Sequence, residues 1–231
     1  MQVEAPAGRP LTVQLARFAS AAEGQRRQDY FEGAPDDPGA PALLIWQAPR
    51  ALLAAPADTR APQFAAAARA CADAGWPVVP RRPGGRVCPI SPGTLQLAIS
   101  RPVAEGVTIE AGYEEMAGLI EALLAHHGLS GTRTLCAQAF CPGRYDIAVA
   151  GRKIAGLAQA WRKHRGAMVA ITGASVILDD APETLADAVN LFYAGFPDAP
   201  ACLPEAIGSV RGMAGHPVTA EDAIEVLRAL V

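Results

Sequence analysis

Phe140-Cys141-Pro142-Gly143-Arg144-Tyr145-Asp146-Ile147-Ala148-Val149-Ala150-Gly151-Arg152-Lys153-Ile154-Ala155-Gly156-Leu157-Ala158-Gln159 places a cysteine, a strand, a tight turn and a lysine within twenty residues. Tyr145 to Ala150 reads as a strand, Gly151-Arg152 as a two-residue turn and Lys153 to Ala160 as the returning strand of a hairpin. The hairpin brings Lys153, twelve residues after Cys141, back beside it. Cys141 precedes Pro-Gly, which suits an exposed turn. A free cysteine is most often a small buried apolar residue, and a lysine past a hairpin turn a solvated charge. Together they offer acyl-transfer chemistry. A thiolate can take an acyl group as a thioester, with Arg144 and Lys153 as candidate neighbouring cations, and an ammonium can hydrogen-bond the acyl carbonyl as charge develops on it.

Further along the chain, Ala167 to Leu178 reads as a strand interrupted at Thr172-Gly173. Asp180-Ala181-Pro182-Glu183 is a helix start, with an acceptor before a proline, for a helix reaching Tyr193. Thr219 and Asp222 form a capping-box variant ahead of a last helix, Ala220 to Leu230. Upstream, Tyr113 to His127 sets Met116, Leu119, Ile120, Leu123 and Leu124 at helical spacing and stops before Gly128. His126-His127 reads as a charge partner of that helix end, and no metal site is expected.

Thr94 to Ser100 alternates as a strand. Before it, the paired glycines of Arg81-Arg82-Pro83-Gly84-Gly85-Arg86 permit positive φ and close backbone approach to a ligand. Pro77 to Pro80 is extended, and the alanine-rich Pro62 to Gly75 is helical. Ala42 to Trp46 has the length of a buried strand, with Ala51 to Ala55 as its hairpin partner. A short helix is expected around Leu15 to Arg26, and Ala34-Pro35-Asp36-Asp37-Pro38-Gly39 reads as a turn or mobile loop. Strands and helices do not alternate regularly. The expected fold is therefore α/β (α+β), a mixed, largely antiparallel sheet flanked by helices. Residues 1–41 are expected to be an N-terminal helix and polar loop packed on one domain, 42–231.

A chain of 231 residues with 51% hydrophobic composition can form one sizeable core. Its formal charge of -3 argues against a general nucleic-acid binder, although Arg152, Arg162, Lys163, His164 and Arg165 could receive an acidic partner. No secretory layout or bilayer-length apolar run is evident, so a cytoplasmic protein without a membrane partner is expected. Its five cysteines include no CxxC pair, which argues against a disulfide scaffold.

Tyr145-Asp146-Ile147 followed by Gly151-Arg152-Lys153-Ile154-Ala155-Gly156-Leu157-Ala158-Gln159 resembles the signature of the biotin/lipoate A/B protein ligase superfamily. Arg81-Arg82-Pro83-Gly84-Gly85 resembles that family's glycine loop, and Gly93-Thr94-Leu95-Gln96-Leu97 the strand after it. Weaker similarity from Leu43-Leu44-Ile45-Trp46 through Gly75 and at Ile207-Gly208-Ser209-Val210 extends the likeness over most of residues 42–210. Pro83 stands where the family usually has Ser or Thr, Cys88-Pro89-Ile90-Ser91 replaces an acidic or histidine-containing stretch, and Thr172-Gly173 stands where ligases tend to have His-Gly.

The resemblance implies a lysine, here Lys153, that contacts the acyl carbonyl. It implies acyl or substrate binding by Arg81, Arg82, Gly84, Gly85, Tyr145, Asp146, Gly156 and Gln159. Cys141-Pro142-Gly143 looks most like the branch that moves an octanoyl group from the glycine-cleavage H protein to lipoyl domains through a cysteine thioester. That reading needs no cofactor. Its partners would be lipoyl-domain proteins or the glycine-cleavage H protein, the transferred group octanoyl or lipoyl, and a monomer is expected. Cys136, five residues upstream of Cys141, is a second candidate nucleophile. The alternatives are an ATP- and magnesium-dependent lipoate-protein ligase, whose extra C-terminal domain would not fit in 231 residues, and a non-catalytic acyl- or carrier-binding homologue.

Overall fold

Three apolar runs, Ala42–Gln47 (β2), Thr94–Pro102 (β6) and Ala167–Ile177 (β10), are covered on both faces and form the middle of a sheet. The computed structural model describes residues 10–31, 33, 40–103, 108–164, 166–197 and 199–231. Around those strands lie Thr12–Arg17 (β1), Arg152–His164 (β9), Ile147–Val149 (β8) and Thr132–Arg133 (β7), in the order β1-β2-β6-β10-β9-β8-β7. Only the β1–β2 pair in this sheet is parallel. A second sheet has the order β4-β3-β5, formed by Val78–Pro80, Ala51–Ala54 and Cys88–Ile90.

Residue alternation gives the large sheet two chemically different faces. Leu95, Leu97, Ile99, Ala174 and Val176 pack toward Ile109–His126 (α4) and Ala220–Ala229 (α7). The opposite face meets the small sheet, with Ala21–Asp29 (α1), Phe64–Asp73 (α3) and Pro182–Tyr193 (α5) around it. On this side Gln96, Ser175 and Gly156 lie opposite one another across β6, β10 and β9, followed by Ala98, Gly173 and Ala158. These small residues leave room between the layers. Two short helices, Pro56–Thr59 (α2) and Val210–Ala214 (α6), complete the named helices.

The mixed, largely antiparallel architecture agrees with the sequence expectation, but several local elements differ. No helix begins at Leu15, because Thr12–Arg17 pairs with β2 and the Ser20 side chain then caps a helix that starts at Ala21. Ala51–Ala54 is not a hairpin partner of β2. It is buried throughout and fills the centre of the small sheet, between β4 and β5. The β8–β9 turn sits one residue earlier than expected, at Ala150 (φ 48°) and Gly151 (φ 78°), the paired left-handed conformations of a type I′ hairpin.

Thr172-Gly173 does not interrupt β10, whose pairing with both neighbours runs straight through it. A Cβ at Gly173 would come within 2.7 Å of Gln28 Nε2, so the glycine admits α1 and does not break the strand. The helix expected from Pro62 begins at Phe64, and the one expected from Tyr113 begins at Ile109, capped by Thr108. The loop read at Ala34 to Gly39 lies outside the described residues, as does Arg165.

Candidate active site

Strict alternation would put Lys153 and Gly156, three residues apart, on opposite faces of β9. A bulge intervenes: Ala148 pairs with Lys153 and Ile147 with Ala155, leaving Ile154 as the extra residue. Ile154 and Ala155 both join the α4-side core, and Lys153 and Gly156 share the other side. A Cβ on Gly156 would lie 3.0 Å from Lys153 Cε and Nζ, so glycine there gives the lysine its path. Gly208 N donates to the Lys153 carbonyl (2.9 Å), fixing the backbone from the Ile207-Gly208 side.

Lys153 is not a surface charge. Its side chain is 0% exposed, and Nζ lies 2.8 Å from Asp146 Oδ1. It also donates to the carbonyls of Phe140 and Cys141, each at 2.9 Å, so its three donors are matched by three acceptors. The second Asp146 oxygen accepts from Gly143 N (3.0 Å). Burial pushes the Asp146 carboxyl above its ordinary value, partly offset by the Lys153 ammonium beside it. The pair clamps the 140–143 loop.

That loop presents Cys141 in a left-handed conformation (φ 42°), and Sγ accepts from Arg81 Nη2 and Arg86 N, both at 3.2 Å. The cation at the sulfur is therefore Arg81. Lys153 reaches the Cys141 carbonyl instead, and Arg144 is exposed. Arg81 is held by the carbonyls of Gly84 (3.0 Å) and Arg86 (2.9 Å), while its buried Nε has no hydrogen-bond partner among the described residues. Gly85 (φ 96°) lets the loop close on the thiol, since a Cβ there would sit 2.7 Å from Sγ. Gly84 makes no such approach. Cys136 is buried, and burial pushes its thiol up with help from the negative charge of Asp146.

Cys141, Lys153, Arg81 and Gly156 line one narrow slot of about 40 Å³ between the sheets. It adjoins an open cleft of about 410 Å³, the two sharing Arg81, Pro83, Gln28 and Gly173. Arg82 lies at that cleft, donating to Tyr30 Oη (2.6 Å) and stacking over its ring. Tyr145 stacks on Tyr113 at 4.4 Å, with the rings 5° from parallel. Gln159 does not line the slot: its amide donates to Thr172 Oγ1 (2.8 Å) and the Ile109 carbonyl (3.2 Å), holding the start of α4. The expected basic patch is also divided, because Arg152 and Arg162 stand at opposite ends of β9, about 30 Å apart at strand spacing. Arg81, Arg82 and Arg162 instead gather at the cleft.

The slot wall also includes Gln25 and Gln28 of α1, Cys88 of β5, and Gln96 and Ser175, none of which was expected from sequence as a site residue. Gln96 and Ser175 follow from their register with Gly156, which is visible only once strand pairing is known; Gln25, Gln28 and Cys88 come from elements packed over the sheet and carry no such signal. Among the described residues no group of three or more His, Cys, Asp or Glu is placed to hold a metal, and no helix is long and apolar enough to cross a membrane.

The family model described as Lipoyl protein ligase A/B catalytic domain matches residues 23–230. An octanoyl-[GcvH]:protein N-octanoyltransferase of Exiguobacterium sibiricum is 28% identical over 165 residues, covering 68% of this chain and 59% of its own. One from Kyrpidia tusciae is 34% identical over 127 residues, covering 52% and 43%. The chain thus spans about half the length of these curated relatives. A crystal structure of lipoate-protein ligase A bound with ATP superposes with a TM-score of 0.69 at 16% identity, over 94% of this chain and 82% of that one.

Proposed function

The chain belongs to the lipoyl protein ligase A/B catalytic domain family, and from that membership and the surroundings of Cys141 we propose that it is an acyltransferase. It moves an octanoyl or lipoyl group from a carrier protein to a lysine of a lipoyl domain. The observation that carries this reading is the Cys141 sulfur held by the Arg81 guanidinium and the Arg86 amide, at the mouth of a slot that Lys153 also lines.

The Cys141 thiolate attacks the acyl carbonyl carbon, forming a C–S bond. The bond from that carbon to the carrier's nitrogen or sulfur breaks, and the leaving group takes up the proton given up by the thiol. The acceptor lysine amine, in its neutral form, then attacks the thioester carbon. An amide bond forms, the C–S bond breaks, and the proton lost by the amine passes to the departing Cys141 sulfur, which restores the thiol. Negative charge on the carbonyl oxygen is met by the unpartnered Nε of Arg81. Lys153 holds the loop that aims the nucleophile, and reaches the acyl oxygen by exchanging one of its two backbone acceptors.

The glycine-cleavage H protein is the proposed donor, following the names of the relatives. Arg81, Arg82 and Arg162 around the open cleft favour a second reading, a ligase that uses ATP and magnesium to activate free acid. Incubation with labelled octanoic acid and a lipoyl domain, or with octanoylated H protein and the same domain, separates the two. Transfer from the acylated carrier without nucleotide supports the transferase. Labelling only from free acid with ATP and magnesium overturns it.

A further inference from the structure

The two groups that touch the Cys141 sulfur, Arg81 Nη2 and Arg86 N, come from opposite ends of the loop 81–86. The shape of that loop therefore decides how both donors meet the thiol. At its far end stands the peptide unit joining Arg86 to Val87. The carbonyl of this unit accepts from Arg81 Nη2 (2.9 Å), and its N–H donates to the Tyr193 hydroxyl (2.9 Å). A trans peptide is planar, with the two groups on opposite sides, so fixing the N–H also fixes the carbonyl that steers the guanidinium.

Tyr193 ends α5, and the buried face of that helix sets its phenol against Asp58 of α2. The two residues are 8% and 7% exposed. Tyr193 Oη donates to Asp58 Oδ1 (2.8 Å), while Asp58 Oδ2 accepts from Ala55 N (3.3 Å). Ala55 follows Ala54, whose carbonyl accepts from Arg81 N (2.9 Å). One buried carboxylate thus reaches both ends of the loop, through Ala54-Ala55 at Arg81 and through Tyr193 at Val87. The Arg86 guanidinium also lies over the Tyr193 ring, 5.6 Å from its centre. Packing against Phe192 and Phe196 needs only the ring, whereas the hydroxyl and the carboxylate serve these hydrogen bonds.

We propose that Tyr193 and Asp58 are positioning residues for the nucleophile: they hold the loop 81–86 so that the Arg81 guanidinium and the Arg86 amide stay aimed at the Cys141 sulfur and favour its thiolate. Neither lines the slot or the open cleft, so both act through the loop. The inference deepens the acyl-transfer reading, on which its role in turnover rests. Thiolate formation is followed directly, as the rate of Cys141 alkylation by iodoacetamide from neutral to alkaline pH, read by peptide mass mapping. Tyr193→Phe keeps the ring and removes the hydroxyl. Asp58→Asn keeps the shape and leaves one of its two donors without an acceptor. Ile120→Val trims the core on the other face of the sheet and controls for lost stability.

Both positioning variants are expected to move the alkylation profile to higher pH, with a loss of about 10-fold at neutral pH for Tyr193→Phe and none at the alkaline plateau. In single-turnover acylation by octanoylated H protein, the limiting rate should fall while the half-saturating carrier concentration stays unchanged. Ile120→Val should match the parent in both assays. A profile that superimposes on the parent's in either folded variant overturns the inference, as does an equal displacement in Ile120→Val. Displaced profiles in a protein whose parent form is never acylated overturn the acyl-transfer reading and leave the positioning of the thiol standing.

Discussion

The ammonium of Lys153 lies 2.8 Å from a carboxylate oxygen of Asp146, and the two side chains are 0% and 1% exposed. Through that pair and two backbone carbonyls, the lysine fastens the loop carrying Cys141 to strand β9. Asp146→Asn removes the negative partner and leaves a buried cation with two neutral acceptors. Breaking such a pair costs about 3 kcal/mol or more. The urea midpoint should fall accordingly, and Cys141 acylation should slow as the loop loosens. An unchanged midpoint contradicts the clamp.

Gly85→Ala places a methyl 2.7 Å from the Cys141 sulfur, well inside contact distance, on a backbone with φ 96°. A nucleophile displaced by about 1 Å loses on the order of 100-fold in rate. We expect a loss of that size in single-turnover acylation. Gly118→Ala, with nothing within 4 Å of the added carbon, serves as the control and should change the rate by less than about twofold. Equal rates for the two variants contradict the placement of Gly85 against the thiol.

The twenty residues from Phe140 to Gln159 made the hairpin, the cysteine and the lysine legible, because turn chemistry and strand character are local properties. The bulge at Ile154, which turns Lys153 to the side of Gly156, depends on pairing with β8 and has no local signature. For the same reason Arg81, 60 residues before Cys141, was read as part of a glycine loop and not as the cation on the sulfur. Gln159 illustrates the reverse error. It lies in the motif, yet alternation from Gly156 turns it toward Thr172 and α4. The β1 strand was missed because its pairing with Ala42–Gln47 outweighs a weak helical pattern.

Cysteine reactivity should single out one residue. Burial raises the thiols of Cys71, Cys88 and Cys202 to about 11 and pushes that of Cys136 up as well. A thiol at about 11 is less than about one part in a thousand thiolate at pH 7.5. Brief iodoacetamide treatment at that pH, followed by peptide mass mapping, should label Cys141 alone. Labelling of Cys136 at a comparable rate contradicts the assignment of the nucleophile.

His127 closes α4 with its ring 5.2 Å from His126 and 5.4 Å from His216. Burial, with the two neighbouring imidazoles, holds its pKa below the ordinary 6.5, against the pull of Asp222. The unfolded chain therefore binds this proton more readily than the folded one. The contribution is complete above pH 6.5 and is lost as the pH falls through the lower, folded value. The urea midpoint should drop between pH 7.5 and 5.5, and His127→Gln should shrink the drop. A drop of equal size in the variant contradicts the account.

The central claim is that Cys141 carries the acyl group, and intact mass spectrometry after incubation with octanoylated glycine-cleavage H protein tests it most directly. We predict a mass gain of one octanoyl group that is abolished by Cys141→Ala and retained in Cys136→Ala. An adduct that survives Cys141→Ala, or a transfer that runs at full rate without that thiol, would contradict it.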